Sequence, residues 1–269
     1  MSCPEMIVDL SEPISFNGPD LKSAKNKRPE IRRLECKHQV VFEQNSLDRE
    51  NRRTRAVGDV TNFTMDRATG KTLASGPGTL RVWRQGKRDG KLTGPASLLQ
   101  TSYGDRSDTD RAEWEFHQIR FRKQMQGNIE QKFTVFEGPV QVIYGPVSLP
   151  TEIIPLENLS PEGGTMDCNE LQISQIDSGE SENIGLLGKG NVRIEGFGFH
   201  ALADEIDHDQ SKGQYKLRAH GRGIVNLWYR DLDSGQDKRA SGESFDFRVV
   251  NGAVKELKGH RTSVIDGAE

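Results

Sequence analysis

The amino-acid sequence predicts an all-β protein, an elongated antiparallel stack of repeated hairpins. Hydrophobic residues make up 33% of the chain against 29% charged residues, and the mean hydropathy is -0.70. Apolar side chains must therefore be spread along half-exposed strands rather than gathered in one thick core. The 28 glycines suit tight reversals between strands, which need residues that tolerate positive φ. Short segments in which apolar and polar residues alternate are the third observation.

The chain is predicted to begin with a disordered lead-in over residues 1–30. This segment holds four of the 11 prolines and most of the polar run LKSAKNKRPEIRR. Regular structure is expected from about Leu34. The start has neither the charged region nor the apolar stretch of a signal peptide, so none is expected. The sequence contains no run of about 18 apolar residues, so no transmembrane segment is expected.

Strands are predicted wherever the alternation has a period of two residues. The clearest segments are TLRVWR (79–84), FTVFEGPVQVIY (133–144), VRIEGFGF (192–199), IVNLWYR (224–230) and SFDFRVV (244–250). The segment 113–121 is ambiguous between helix and strand. Residues 148–164 contain three prolines and two glycines, so we expect them to join a first half, 31–150, to a second half, 164–266.

An internal repeat defines the architecture more sharply than any single segment. GPGTLRVW (76–83) and GRGIVNLW (221–228) share a pattern of two glycines, two alternating apolar residues and a tryptophan, 145 residues apart. EGPVQVIY (137–144) is a weaker third copy. The alternation places the two aliphatic residues of each copy on the inner face and the tryptophan on the opposite face. A bend or bulge is expected at the glycines.

Residues 190–261 resemble the OstA-like, or LptA-type, lipopolysaccharide-transport family. The resemblance lies in GNVRI (190–194), in ALADEIDHD (201–209), in AHGRGIV (219–225) and in ASGESFDF (240–247), in that order. A fainter copy spans 57–84, whereas the insert 84–111 departs from the family's pattern. The resemblance implies an open β-jelly-roll, or β-taco, whose apolar groove shields the acyl chains of lipopolysaccharide in the periplasm without catalysis. It also implies that exposed edge strands add other OstA-like domains end to end.

The candidate lipid contacts are the inward-facing apolar residues of the predicted strands. They bury acyl groups by the hydrophobic effect, which stabilises by about 0.8 kcal/mol per CH₂. The candidates are Leu80, Val82, Val140, Val142, Val192, Ile194, Val225, Leu227, Phe245 and Phe247.

Charge and motif content disfavour several other functions. The formal net charge of -3, from 37 basic and 40 acidic residues, predicts no nucleic-acid partner. The three cysteines are scattered and the six histidines lack the spacing of metal ligands, so no disulfide framework, metal or cofactor is expected. The acidic run 204–209 is read as solvated residues rather than a cation site, and DLDSGQD (231–237) as a hairpin turn.

Two alternatives to lipid transport remain open at this point. A structural or protein-binding β module would have a fully packed interior. A β-fold enzyme acting on polysaccharide would need carboxylates that converge in a polar cleft.

Overall fold

The computed structural model describes residues 1–11, 30–47, 51–85, 114–160, 163–178, 181–196, 198–209, 212–250 and 253–266. Within these ranges the chain is all-β, with antiparallel strand pairing and no α-helix. A 3-10 turn covers Leu156–Asn158. No helix of the described part is long and apolar enough to span a membrane.

The strands of the first half are β1 Glu5–Leu10, β2 Ile31–Lys37, β3 Val40–Leu47, β4 Arg53–Val60, β5 Asn62–Asp66, β6 Lys71–Ser75, β7 Gly78–Gln85, β8 Trp114–Phe121, β9 Gln124–Asn128 and β10 Phe133–Val147. Those of the second half are β11 Gly164–Ser178, β12 Ser181–Gly196, β13 Phe199–Asp209, β14 Gln214–Arg218, β15 Val225–Arg230, β16 Asp237–Gly242, β17 Ser244–Val250, β18 Ala253–His260 and β19 Ser263–Asp266.

The pairing divides the strands into two sheets that share their longest members. The first sheet runs β1-β2-β5-β6-β9-β10-β11-β12-β13-β14-β17-β18. The second runs β3-β4-β7-β8-β10-β11-β12-β13-β15-β16-β19. Each of the strands β10 to β13 belongs to the first sheet along one half of its length and to the second along the other half. The result is the expected elongated jelly-roll.

The chain passes from one sheet to the other along a single line, which we call the corner. The long strands cross it at register shifts, and Gly138 (φ 91°) and Gly190 (φ 73°) adopt positive φ at two of these crossings. The shorter strands turn there through Gly76–Pro77, a cis peptide, and near Gly221 (φ 65°). All three repeat copies thus have their glycines at the corner, as the repeat predicts.

One interior lies between the two sheets. In the second sheet an unbroken inner row passes from Leu80 across Val142 and Ile194 to Leu227 by direct register partners. In the first sheet the equivalent row passes from Cys36 to Phe245. These rows belong to one hydrophobic cluster, so the inner faces of the two repeat copies do meet the same core.

The second sheet also buries part of its outer face. Trp83 and Phe116 pack there at 5.3 Å between ring centroids, beneath Ile154 of the segment that follows β10. The indole nitrogen of Trp83 donates a hydrogen bond to the carbonyl oxygen of Glu152 (2.6 Å). Trp228 faces outward as well, stacked on His200 at 4.8 Å. The opposite phase predicted for both tryptophans is therefore confirmed.

The structure can be compared with the sequence expectations for four segments of the chain. Strand β1 lies inside the segment predicted to be a disordered lead-in, so that prediction does not hold for Glu5–Leu10; residues 12–29 lie outside the described ranges. The ambiguous segment 113–121 forms strand β8. The insert 84–111 lies almost entirely outside the described residues. The segment 148–164 connects β10 to β11, and these two strands pair directly with each other.

Candidate functional site

A cavity of about 600 Å³ opens between the two sheets at the rim, which is the side away from the corner. The second sheet contributes the ends of β3, β4 and β7, and the first sheet contributes β6 and β9 to β12. Its apolar lining consists of Leu47, Val82, Ile129, Phe133, Ile173 and Ile184. Its volume is typical of a site for a small ligand or for part of a larger one.

Basic and polar side chains complete the lining of the cavity. Arg84 of β7 and Lys132, beside the start of β10, line it together with hydroxyl and amide side chains. Arg84 is itself almost fully buried, and both basic side chains have interaction partners. The apolar part of the lining is therefore the part that complements a ligand, and it suits a hydrocarbon group.

Aromatic side chains fill the interior farther along the stack. Phe199 of the second sheet reaches Tyr215 and Phe247 of the first sheet, at 5.5 and 5.3 Å between ring centroids. Tyr215 and Phe247 stack on each other at 5.4 Å. All three side chains are buried. Among the described residues, the interior thus has a cavity at the rim ends of β3, β4, β6, β7 and β9 to β12, and it is filled by aromatic rings at β13, β14 and β17.

Two buried polar side chains continue a row of the cavity lining. Thr54 and Arg84 line the cavity, and the register carries this row on to Glu115. Glu115 and His117 are almost fully buried on the inner face of β8, with Glu115 Oε2 lying 3.9 Å from His117 Nε2. Within the part of the chain that the structure describes, neither carboxylate oxygen of Glu115 has a hydrogen-bond partner, nor does His117 Nε2. Such groups are costly to bury and rare in folded proteins.

His208 lies in the closed part of the interior. Its ring is 4.2 Å from that of Tyr215, and Nδ1 has no hydrogen-bond partner. Burial lowers the pKa of His208 from 6.5 to about 3, while the neighbouring Asp209 carboxylate opposes that shift. His208 is therefore neutral near pH 7 and packs as part of the aromatic cluster.

The structure brings the ten candidate lipid contacts into one interior, but to different depths. Val82 lines the cavity, and Leu80 beside it is half-buried. The other eight are buried in the packed core: Val140, Val142, Val192, Ile194, Val225, Leu227, Phe245 and Phe247. Of the ten, Val82 is thus the one that faces open space.

Sequence reasoning missed most of the cavity lining. Leu47 and Ile129 lie at or next to strand ends, where hairpins turn and the period-two pattern stops. Ile173 does alternate with polar neighbours in LQISQ, which was a usable signal. Its opposite wall, however, comes from β3, β4 and β7, far away in the sequence.

The acidic run 204–209 is divided between structural roles. Asp204 Oδ2 accepts a hydrogen bond from the His220 backbone N–H (2.7 Å), and Glu205 Oε1 pairs with Arg218 at 3.0 Å. No group of three or more potential metal ligands converges in the described part of the chain. The segment 231–237 is the hairpin turn between β15 and β16, in which Asp231 accepts a hydrogen bond from the Ser234 backbone N–H (2.8 Å).

Strand β1 forms an exposed edge of the first sheet. It pairs with β2 on one side, and the described strands provide no neighbour on its other side. Met6, Ile7 and Val8 are 46%, 41% and 40% exposed. Consecutive residues point to opposite faces of a strand, so β1 is uncovered on both faces as well as along its edge.

Comparison with known proteins adds no relative. No family model, no curated protein and no solved structure matches the chain.

Proposed function

We propose that this chain binds an amphipathic lipid of the lipopolysaccharide type and relays it without catalysis. The observation that carries the proposal is the apolar floor of the rim cavity. Acyl carbons on this floor would each add about 0.8 kcal/mol to binding. The OstA-like motifs and the two-sheet jelly-roll support the same proposal, and the resemblance would place this function in the periplasm.

The shape of the interior favours lipid binding over the purely structural alternative. A module that only supports other parts would be packed throughout, as this chain is around Phe199, whereas the described residues leave a cavity beside Val82. For the polysaccharide-active alternative, the described lining of the cavity offers no pair of carboxylates.

A test of this proposal is to fill the cavity. Val82→Trp places an indole in the space that an acyl chain would occupy, and Leu73→Trp adds the same group on the exposed outer face of β6. With a fluorescent fatty-acid probe and with lipopolysaccharide as competitor, we expect Val82→Trp to weaken binding at least about tenfold and Leu73→Trp to leave it unchanged. Equal affinities of the two folded variants, or no binding by the unaltered chain, would contradict the proposal.

A second function, association through an exposed edge, rests on β1. A strand from another OstA-like domain would add to its unpaired backbone groups and cover Met6 and Val8. Ile7→Pro removes a backbone donor from β1, so it should abolish such association while the rim cavity stays intact. Sedimentation with a candidate partner domain measures this, and undiminished association of the proline variant would refute edge addition at β1.

A further inference from the structure

Two of the three cysteines lie side by side at the N-terminal end of the stack. Cys36 is fully buried on the inner row of the first sheet, and Cys3 packs against the same hydrophobic cluster just before β1. Cys3 is also one of the groups that raise the pKa of the Cys36 thiol, which makes the two side chains neighbours in the fold. The Cys3 thiol also donates to the carbonyl oxygen of Glu5 (3.2 Å), and the Cys36 thiol donates to the sulfur of Met1 (3.4 Å).

The backbone holds this pair from both sides. Ser2 bridges to Val41 in β3, which belongs to the second sheet, whereas Glu5 pairs with Lys37 in β2, which belongs to the first. Cys3 lies between these two attachment points, so its side chain is directed to the inner side of the corner, where Cys36 lies. The third cysteine, Cys168, is buried in β11 within the shared long strands.

We propose that Cys3 and Cys36 form a disulfide when the chain meets an oxidising dithiol–disulfide buffer, and that Cys168 stays a thiol. The sequence alone pointed to unpaired thiols, because 33 positions separate the two residues and the cysteine count is odd. The fold removes that objection, because it brings Cys3 and Cys36 to the same hydrophobic cluster at one end of the stack and buries Cys168 in the long strands.

The reaction balances with a low-molecular-weight disulfide such as oxidised glutathione. Cys3, the more exposed of the two, attacks as a thiolate, forming a mixed disulfide and releasing one glutathione thiolate. The Cys36 thiolate then attacks the Cys3 sulfur and releases the second glutathione. In total the protein loses two protons and two electrons, and one glutathione disulfide is reduced to two thiols.

The thiol environments set the order and the pH dependence of these steps. Burial, together with Cys3, raises the pKa of Cys36 to about 11, so Cys36 suits the resolving step, which is intramolecular. Burial raises the pKa of Cys168 to about 12, which disfavours its oxidation. Disulfide formation should therefore accelerate as the pH rises above neutrality.

The expected consequence is a covalent tie between the N-terminal strand and the inner row of the first sheet. The disulfide would hold β1 beside β2 at the end of the molecule where Met6, Ile7 and Val8 are exposed. The Cys3–Cys36 disulfide would then limit the separation of β1 from β2, which in the reduced chain can open by local fraying.

The test uses the full chain, equilibrated with reduced and oxidised glutathione, acid-quenched, unfolded and alkylated. Peptide mass spectrometry should find Cys3 linked to Cys36 and Cys168 fully alkylated. Amide hydrogen exchange over residues 5–10 should be at least about tenfold slower in the oxidised chain than in the reduced chain. Cys3→Ser is the matched control, in which oxidation should change neither alkylation of Cys168 nor exchange in β1.

Two results would overturn the proposal. One is a folded chain in which all three cysteines remain alkylatable under conditions that oxidise a free dithiol peptide. The other is a linkage that involves Cys168.

Discussion

At the scale of single residues, His208 shows how burial sets the charge of a side chain. The imidazole contacts Tyr215 in the closed interior, where a charged ring would have no solvent. Its pKa falls from 6.5 to about 3 for that reason. Between pH 6.5 and about pH 3, His208 is therefore neutral in the folded chain and protonated in the unfolded chain.

His208 should make the protein less stable as the pH falls from 6.5 towards 3. The unfolded state binds more protons in this window, so stability is lost by about 1.4 kcal/mol per pH unit. Urea unfolding at pH 7 and pH 4.5 should show about 2 to 3 kcal/mol more loss for the unaltered chain than for His208→Leu. The same pH dependence in both proteins would refute this role of His208.

The buried carboxylate of Glu115, next to the row of residues that lines the cavity, is expected to lower the stability of the fold. Its two carboxylate oxygens lack hydrogen-bond partners, so the chain bears the cost of removing them from water. Replacing Glu115 by Met, which is similar in length and apolar, should raise the free energy of unfolding by about 1 to 3 kcal/mol.

The matched control for Glu115→Met is Glu130→Met, since Glu130 is exposed in the turn after β9. Denaturant unfolding should place this control within about 0.5 kcal/mol of the unaltered chain. A destabilised Glu115→Met protein would show instead that the carboxylate gains more from His117 and its surroundings than burial costs.

At the scale of the strand, Gly58 allows close approach in the inner row of the second sheet. The ring of Phe42 occupies the space that a Cβ at Gly58 would need, and the two residues are register partners on β3 and β4. Gly58→Ala should therefore destabilise the chain by about 1 to 3 kcal/mol. In a double-mutant cycle measured by urea unfolding, Gly58→Ala should cost less free energy of unfolding in a Phe42→Leu background than in the unaltered chain. Purely additive effects would mean that Phe42 is not the obstacle.

The strands differ in how far their sequence predicts them. In β15, apolar Val225 and Leu227 face the core while Asn226 and Trp228 face outward, so alternation was sufficient. Strand β8 lacks this contrast because both of its faces are buried: Phe116 lies under the segment after β10, and His117 faces the interior. Its polar inner residues therefore obscured the pattern.

The cavity could not be predicted from local pattern, for a reason of topology. Its walls meet only after β4 pairs with β7 and β6 pairs with β9, contacts that join distant parts of the chain. Alternation marks which residues face inward, and it identified Val82. It does not distinguish an inner position that meets a partner across the interior from one that meets open space.

At the scale of the whole molecule, the interior has an open part and a closed part that should respond separately to substitution. Phe199 is the link between the inner faces of the closed part, since it contacts both Tyr215 and Phe247. Phe199→Ala should lower stability by about 3 to 5 kcal/mol. The affinity for a fluorescent fatty-acid probe should stay within about twofold, because Phe199, Tyr215 and Phe247 are not among the described lining residues of the cavity. A loss of affinity in the folded variant would show that the two parts are coupled.

The stack is held together by neighbours in a line. Strands β1 and β18 lie at opposite ends of the first sheet, and β3 and β19 lie at opposite ends of the second. Each strand between these ends pairs with a neighbour on both sides. We expect such an arrangement to open locally at its end strands while the rest of the stack stays folded. The long strands β10 to β13, which belong to both sheets, lie farthest from these ends. The region that forms one wall of the cavity is therefore also the region that would keep its shape while the ends open and close.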